Sequence, residues 1–297
     1  MNVMIAGGRG FLGTALANSL LEDGHRIFIL TRRKPDQPNQ YQWDGVTPHG
    51  WAHLVNEMDA IVNLSGHSTS HWPWTKATKK RFVDSRVLPG RAFVSALASA
   101  TRRPRVYLQG SGINYYGLRG ETVADESTPS ADDFLAELTV QWEEATKPLD
   151  ELGVRRVAMR SAVVLAKRGG LFPLMALPVR LFFGGKFGSG SQATPWIHVT
   201  DYIRAVKFLL ANDDARGAFN LISPEGSSNA DFMREVCKAL SRPYWFHLPE
   251  FLLKIFLGEM SVLLVDGRFS RPQRLLDLGF DFQFKSLPSA LQNLLQE

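Results

Sequence analysis

The stretch Val3-Met4-Ile5-Ala6-Gly7-Gly8-Arg9-Gly10-Phe11-Leu12-Gly13 sets a short apolar run directly before three glycines spaced G-x-x-G-x-x-G, namely Gly7, Gly10 and Gly13. Val3 to Ala6 reads as a buried strand. Phe11 to Glu22 has helical spacing, with Leu12, Leu16, Leu20 and Leu21 facing inward and Gly24 ending the run. A glycine turn between a strand and a helix lets the backbone approach a pyrophosphate. The helix N-terminus then offers free N–H groups and a partial positive charge. In that arrangement Gly7 permits the tight turn, Gly10 the close approach and Gly13 the packing of helix on strand. The flanking strand and helix supply the context the motif requires. The competing reading is a glycine-rich turn without a ligand.

Outward from this stretch, short apolar runs alternate with helical ones. Strands are expected at Arg26–Leu30, Ala60–Leu64, Arg105–Gln109, Arg155–Leu165 and Ala218–Ile222. Helices are expected at Lys79–Ala100, disturbed by Pro89, at Asp132–Leu152, disturbed by Pro148, and at Asp201–Ala211 and Asn229–Leu240. Gly279 to Phe284 is read as a short strand, and Phe182 to Thr194 as a loop. Alternation of this kind implies a parallel sheet covered on both faces, and right-handed crossovers make it doubly wound. The expected fold class is therefore α/β and Rossmann-like, with a smaller, mainly helical C-terminal lobe. Residues 1–165 form the dinucleotide domain, to which 195–222 return, and 166–194 with 223–297 form the lobe.

Composition narrows the function classes. The chain has 297 residues, 44% of them hydrophobic and 21% charged, with a net charge of +5. Its basic residues are scattered apart from short clusters and no nucleic-acid reader motif is present, so no nucleic-acid partner is expected. The single cysteine, Cys237, excludes an internal disulfide and a cysteine-built metal site. The apolar stretch Phe251–Phe256, interrupted by Lys254, is too short to span a bilayer. A cytoplasmic protein, with no membrane association and a monomeric or homodimeric state, is the expectation.

The end of the second strand points to the nucleotide. NAD binders place a carboxylate there, whereas NADP binders tend to place arginine. Here the chain reads Thr31-Arg32-Arg33-Lys34, without Asp or Glu. A forked, permanent cation suits a phosphate ester, so NADP(H) is the expected cofactor. A solvated basic turn is the alternative.

These residues resemble the extended, epimerase-like branch of the short-chain dehydrogenase/reductase superfamily, the NAD-dependent epimerase/dehydratase type, over most of the chain. The likeness rests on the glycine loop, on Asn63-Leu64-Ser65-Gly66, on Gln109 to Gly117, on Trp196-Ile197-His198-Val199-Thr200-Asp201 and on Gly217 to Leu221. Within the branch, Trp74-Thr75, Ser85-Arg86, Tyr115-Tyr116-Gly117, Asp133 to Ala136 with Trp142-Glu143, and Gly258 to Gly279-Phe280 resemble the YfcH/YfhF-like "epimerase family" group with a DUF1731-type C-terminal domain. The resemblance implies cofactor contacts from Gly7, Gly10, Phe11, Leu12, Gly13, Thr31, Arg32, Arg33, Leu64, Ser65, Gly66 and Ser111. It implies an NADP(H)-dependent, nucleoside-sugar-epimerase-like oxidoreductase acting on an unidentified small molecule.

The superfamily's chemistry uses Tyr-x-x-x-Lys on a helix, where the lysine lowers the tyrosine pKa and the tyrosine moves a proton as hydride moves. The corresponding helix here, Ala131 to Trp142, has neither residue. Substitutes are Tyr116 as proton donor, Ser111 as the group orienting a substrate oxygen and Glu137 as an acid/base raised in a dry cleft. Each has a structural alternative: a packed tyrosine, a strand-end cap, an exposed helix carboxylate. Arg160 meets an anionic substrate or pairs with a carboxylate. His198 acts in acid/base chemistry or holds the fold, and Trp74 belongs to a loop that walls the substrate or simply packs. No His/Asp/Glu cluster has metal-ligand spacing. Without Tyr-x-x-x-Lys, a non-catalytic NADP(H)-binding regulator, linked to cell division in some relatives' labels, is the second reading.

Overall fold

A computed structural model describes residues 1–120 and 122–296. Seven parallel strands form the central sheet: β1 (Asn2–Ala6), β2 (Arg26–Thr31), β3 (Gln40–Gln42), β4 (Ala60–Asn63), β5 (Val106–Gly112), β6 (Arg155–Ser161) and the last strand, Gly217–Leu221. Between β6 and that last strand lie β7 (Val163–Leu165) and β8 (Trp196–His198), a separate parallel pair, which makes the last strand β9. The order across the main sheet is β3-β2-β1-β4-β5-β6-β9.

The apolar runs are continuous because both sheet faces are buried. Val3, Ile5, Ile27, Ile29, Ala60, Val62, Val106 and Leu108 face one core. Met4, Ala6, Phe28, Leu30, Ile61 and Tyr107 face the other. Period-two alternation distributes each strand between two apolar layers, which a single hydrophobic run in the sequence cannot reveal. Helices α1 (Phe11–Glu22) and α5 (Val199–Ala211) cover the first face, and α2 (Lys76–Ala98) covers the second with α3 (Phe134–Glu144) beside it. The strand order reverses between β1 and β4, and ligands of such sheets bind in the crevice beyond the strand ends at that point.

Several sequence expectations need adjusting. Thr75 caps α2 by accepting from Thr78 N, so the helix starts at Lys76, and it runs unbroken through the buried Pro89. α3 ends at Glu144, and Pro148 lies in a separate short 3-10 turn. β3 has no apolar pattern and is recognisable only by its pairing with β2. Gly279–Phe284 forms no strand. Phe280, Phe282 and Phe284 still alternate inward, but the Asp201 carboxylate accepts from Gln283 N and Phe284 N at 2.8 Å each. A buried carboxylate thus satisfies backbone donors that a strand partner would have taken.

A third core gathers Leu165, Trp196 and Cys237 with apolar faces of α4 (Phe172–Arg180), α6 (Asn229–Ala239), α7 (Glu250–Leu257) and α10 (Leu287–Gln296). Two shorter helices, α8 (Val262–Val265) and α9 (Gln273–Asp277), lie between α7 and α10. Leu275, Phe280 and Phe282 leave this lobe to pack in the sheet's own core, which ties the chain's last part to α5 and β9. Among the described residues no helix is long and apolar enough to cross a membrane.

Candidate functional site

The glycine loop is built from backbone. Gly7 leaves β1 at φ +77°, in the left-handed region, and a Cβ there would stand 2.8 Å from the Leu64 carbonyl oxygen. Gly10 N donates to Gly7 O at 2.9 Å and Gly10 caps α1 without any side-chain hydrogen bond. The first N–H groups of α1 therefore remain available to an anion. A Cβ on Gly13 would stand only 2.2 Å from Gly7 O, so helix and loop approach as closely as they do because that side chain is missing.

Two adjoining cavities open at the loop. The outer one, about 690 Å³, is lined by Thr31, Arg32, Arg33, Ser65, Arg9 and Arg81 among others. The inner one, about 570 Å³, is lined by Phe11, Leu12, Gly13, Ser111, Arg86 and Trp142 among others. Gly7, Gly10, Leu64 and Gly66 line both. Every residue expected to touch a dinucleotide thus lies along one continuous cleft. At the outer mouth Arg9 pairs with Asp36 at 2.8 Å. Arg32 and Arg33 are exposed and have no ion-pair partner among the described residues. Asp44 also lines the mouth, but its carboxylate is engaged by Val46 N, Thr47 N and the Thr47 hydroxyl. Those bonds, the Thr47 amide first, hold its pKa below the usual carboxylate value.

The inner end is a network of side chains from five elements, the 3-10 turn Ile113–Tyr116 among them. Ser111, near the end of β5, donates to Glu143 Oε1 on α3 at 2.6 Å. Arg160 on β6 grips the same carboxylate with two bonds of 2.8 Å. Its Nη1 donates to the Tyr116 hydroxyl at 3.0 Å, which donates in turn to Asn220 Oδ1 on β9 at 2.7 Å. The Arg160 guanidinium also lies 3.4 Å from the centre of the Tyr115 ring. Arg160 therefore pairs with a carboxylate, the second of the alternatives the sequence left open.

Tyr116 is fully buried, its hydroxyl is committed on both sides, and it does not line the cleft. Burial raises its pKa to about 12, partly offset by Arg160. Glu137 stands exposed in the first turn of α3, outside the cleft wall. His198 caps α5, accepting from Thr200 N through Nδ1, and stacks on Phe284 at 3.9 Å, away from the cavities. Trp74 donates to Thr69 O and packs against Phe82 and Phe134. Only Ser111 of the expected catalytic residues faces the cavity. Glu143 and Arg86 were the missed residues. They were visible only as parts of the Trp142-Glu143 and Ser85-Arg86 pairs, with no signal in spacing for what they bind. Among the described residues no group of His, Cys, Asp and Glu could hold a metal ion.

The family model described as "NAD dependent epimerase/dehydratase family" matches residues 3–139, and DUF1731, a domain of unknown function, matches residues 248–294. The epimerase family protein YfhF of Bacillus subtilis (strain 168) is 33% identical, covering 100% of this chain and 99% of its own. The chain belongs to the NAD-dependent epimerase/dehydratase family. Within it, the epimerase family protein SDR39U1 of Bos taurus is 34% identical over 99% of this chain and 100% of that one. The crystal structure of human SDR39U1, isoform 2, with NADPH superposes at TM-score 0.90, with 30% identity and coverage of 100% and 99%. UDP-N-acetylglucosamine 4-epimerase from Bacillus cereus shares the fold at TM-score 0.77 and 15% identity.

Proposed function

We propose that this chain binds NADP(H) along the cleft and is an epimerase-like oxidoreductase of a small polar substrate. The observation that carries the reading is the continuity of the cleft. Its glycine-built floor runs from two unpaired arginines, Arg32 and Arg33, to the serine at the end of β5. The loop fits a pyrophosphate because Gly7 and Gly13, where a Cβ would strike neighbouring backbone, let it pack tightly under the uncapped N-terminus of α1. The NADPH-bound human relative supports the choice of cofactor. Bound there, a nicotinamide supplies hydride transfer to or from a substrate carbon.

This chain's residues would do the rest. The N-terminus of α1 and the loop hold the diphosphate. Thr31, Arg32 and Arg33 hold the phosphate ester, and Leu64, Ser65 and Gly66 pass beneath the nucleotide. Ser111 orients a substrate oxygen. Because its own proton is held by Glu143, the lone pairs of Ser111 Oγ are free to accept from a substrate hydroxyl. Tyr116 acts from inside the protein as a positioning residue for Arg160.

Titration with NADPH and NADH, followed by enhancement of the reduced cofactor's fluorescence, tests the nucleotide. Loss of that fluorescence on adding carbonyl compounds tests the reaction. Absence of NADPH binding overturns the reading. The absence of Tyr and Lys from α3 favours a second reading, a non-catalytic NADP(H)-binding regulator. Bound NADPH that no carbonyl compound consumes would support it.

A further inference from the structure

Three arginines are buried among the described residues: Arg86, Arg155 and Arg160. Two have acceptors at both terminal nitrogens. Arg155 donates to the carbonyls of Leu209, Leu210 and Ala215. Arg160 has Glu143 and Tyr116. Arg86 differs. It is only 9% exposed, yet only one of its three nitrogens has an acceptor. Its Nη1 donates to His67 O and Phe82 O, at 2.9 and 3.1 Å. Nε and Nη2 have no hydrogen-bond partner among the described residues and are not sealed from solvent, so they open on the inner cavity that Arg86 lines.

The group is held in place. Its guanidinium lies 4.8 Å from the centre of the Trp142 ring, and a Cβ on Gly66 would stand 3.4 Å from Cζ. Trp142 in turn packs so closely on the strand end that a Cβ on Gly110 would stand 3.1 Å from its ring. Trp142 and Arg86 thus stand side by side, next to Ser111, on the wall where α3 lacks a lysine. Burying a guanidinium with two of its nitrogens unserved is costly, and a fork of donors on a rigid stem suits an oxyanion. Burial lowers its pKa only to about 10, so it stays charged at neutral pH. The rest of the cavity does not neutralise it. Asp266 is paired with Arg119, and Arg268 donates to the neutral oxygens Tyr116 O, Thr122 O and Thr122 Oγ1.

We propose that Arg86 is an oxyanion-recognition residue of the cleft: its free guanidinium edge receives the carboxylate or phosphate of the molecule that docks beside Ser111, so that molecule is a small anion. This rests on the cleft being the nucleotide site, with the diphosphate already served by the glycine loop. Calorimetry on the full chain tests it, using malonate, inorganic phosphate and uncharged malonamide, with and without NADPH. Malonate or phosphate should bind saturably and malonamide should not. Arg86→Gln should weaken the anion about tenfold or more, Arg86→Lys should recover part of that, and NADPH affinity should stay within about threefold, as expected when no direct contact is lost. The pattern of malonate against phosphate distinguishes a carboxylic acid from a phosphate ester. Equal anion affinity in Arg86→Gln, no saturable binding of either anion, or a matching loss of NADPH affinity would overturn it. Anion binding that persists while NADPH fails to bind would remove the nucleotide reading and leave this one standing.

Discussion

The floor of the cleft and its inner end are built on different principles. The floor uses backbone: Gly7, Gly10 and Gly13 lie within seven consecutive residues and act by what they lack. The inner end uses side chains: Arg86, Ser111, Glu143, Arg160 and Asn220 come from α2, β5, α3, β6 and β9. A backbone site can be read from spacing because its geometry is local. A side-chain network depends on which charge finds which partner, and that is fixed only when distant segments pack.

The largest effect should come from breaking the inner network. Glu143→Ala leaves Arg160, 4% exposed, without its carboxylate. Urea unfolding should show a loss of about 3–5 kcal/mol. A loss below about 1 kcal/mol, the range of an exposed pair, would mean that the pair is not the anchor of this end.

In the floor of the cleft, Gly13→Ala forces a methyl against Gly7 O. Overpacking of this kind costs about 1–3 kcal/mol. NADPH affinity should fall with it, which fluorescence titration would detect. Unchanged binding would refute the close-approach role.

Arg32→Ala separates the nucleotides. Loss of a charge-assisted contact of about 1.5–3 kcal/mol should weaken NADPH about tenfold or more and leave NADH nearly unaffected. Equal losses would return the turn to a solvated basic surface.

Tyr116→Phe removes the acceptor of Arg160 Nη1 and the donor to Asn220. A stability loss of about 1–3 kcal/mol follows from unpaired buried groups. NADPH binding should be unchanged, and any turnover should be reduced but not abolished, because Arg160 keeps Glu143. Abolished turnover in a folded variant would return Tyr116 to the chemistry.

The smallest effect is a pH dependence beneath the inner network. Glu126 accepts from Asn220 N and Arg274 N, and burial raises its pKa above the usual carboxylate value. A carboxylate so raised lowers stability once pH exceeds its unfolded pKa. The folded protein regains that stability as pH falls through the folded pKa toward the unfolded one. Urea midpoints in Glu126→Gln should lack this component between those two pKa values. An identical pH profile in both proteins would place the titration elsewhere.

The amino-acid order alone accounts for the sheet, the glycine loop and the basic mouth. Apolar runs, helical spacing and glycine positions act over a few residues, so physical chemistry ties them to conformation before the chain folds. β3 escaped it because Gln40-Tyr41-Gln42 has no apolar run, although Tyr41 stacks on Phe28 of β2. Gly279–Phe284 misled it because inward alternation of Phe280, Phe282 and Phe284 does not reveal that Asp201 takes the backbone donors. In the site, Tyr116, Glu137 and His198 are chemically able residues whose roles depend on burial and neighbours. Packing seals the first, exposes the second and makes the third a helix cap. It alone also decided that Arg160 has a carboxylate while Arg86 is left with an open edge on the cleft. Charge satisfaction is a property of neighbours in space, and sequence order does not specify them.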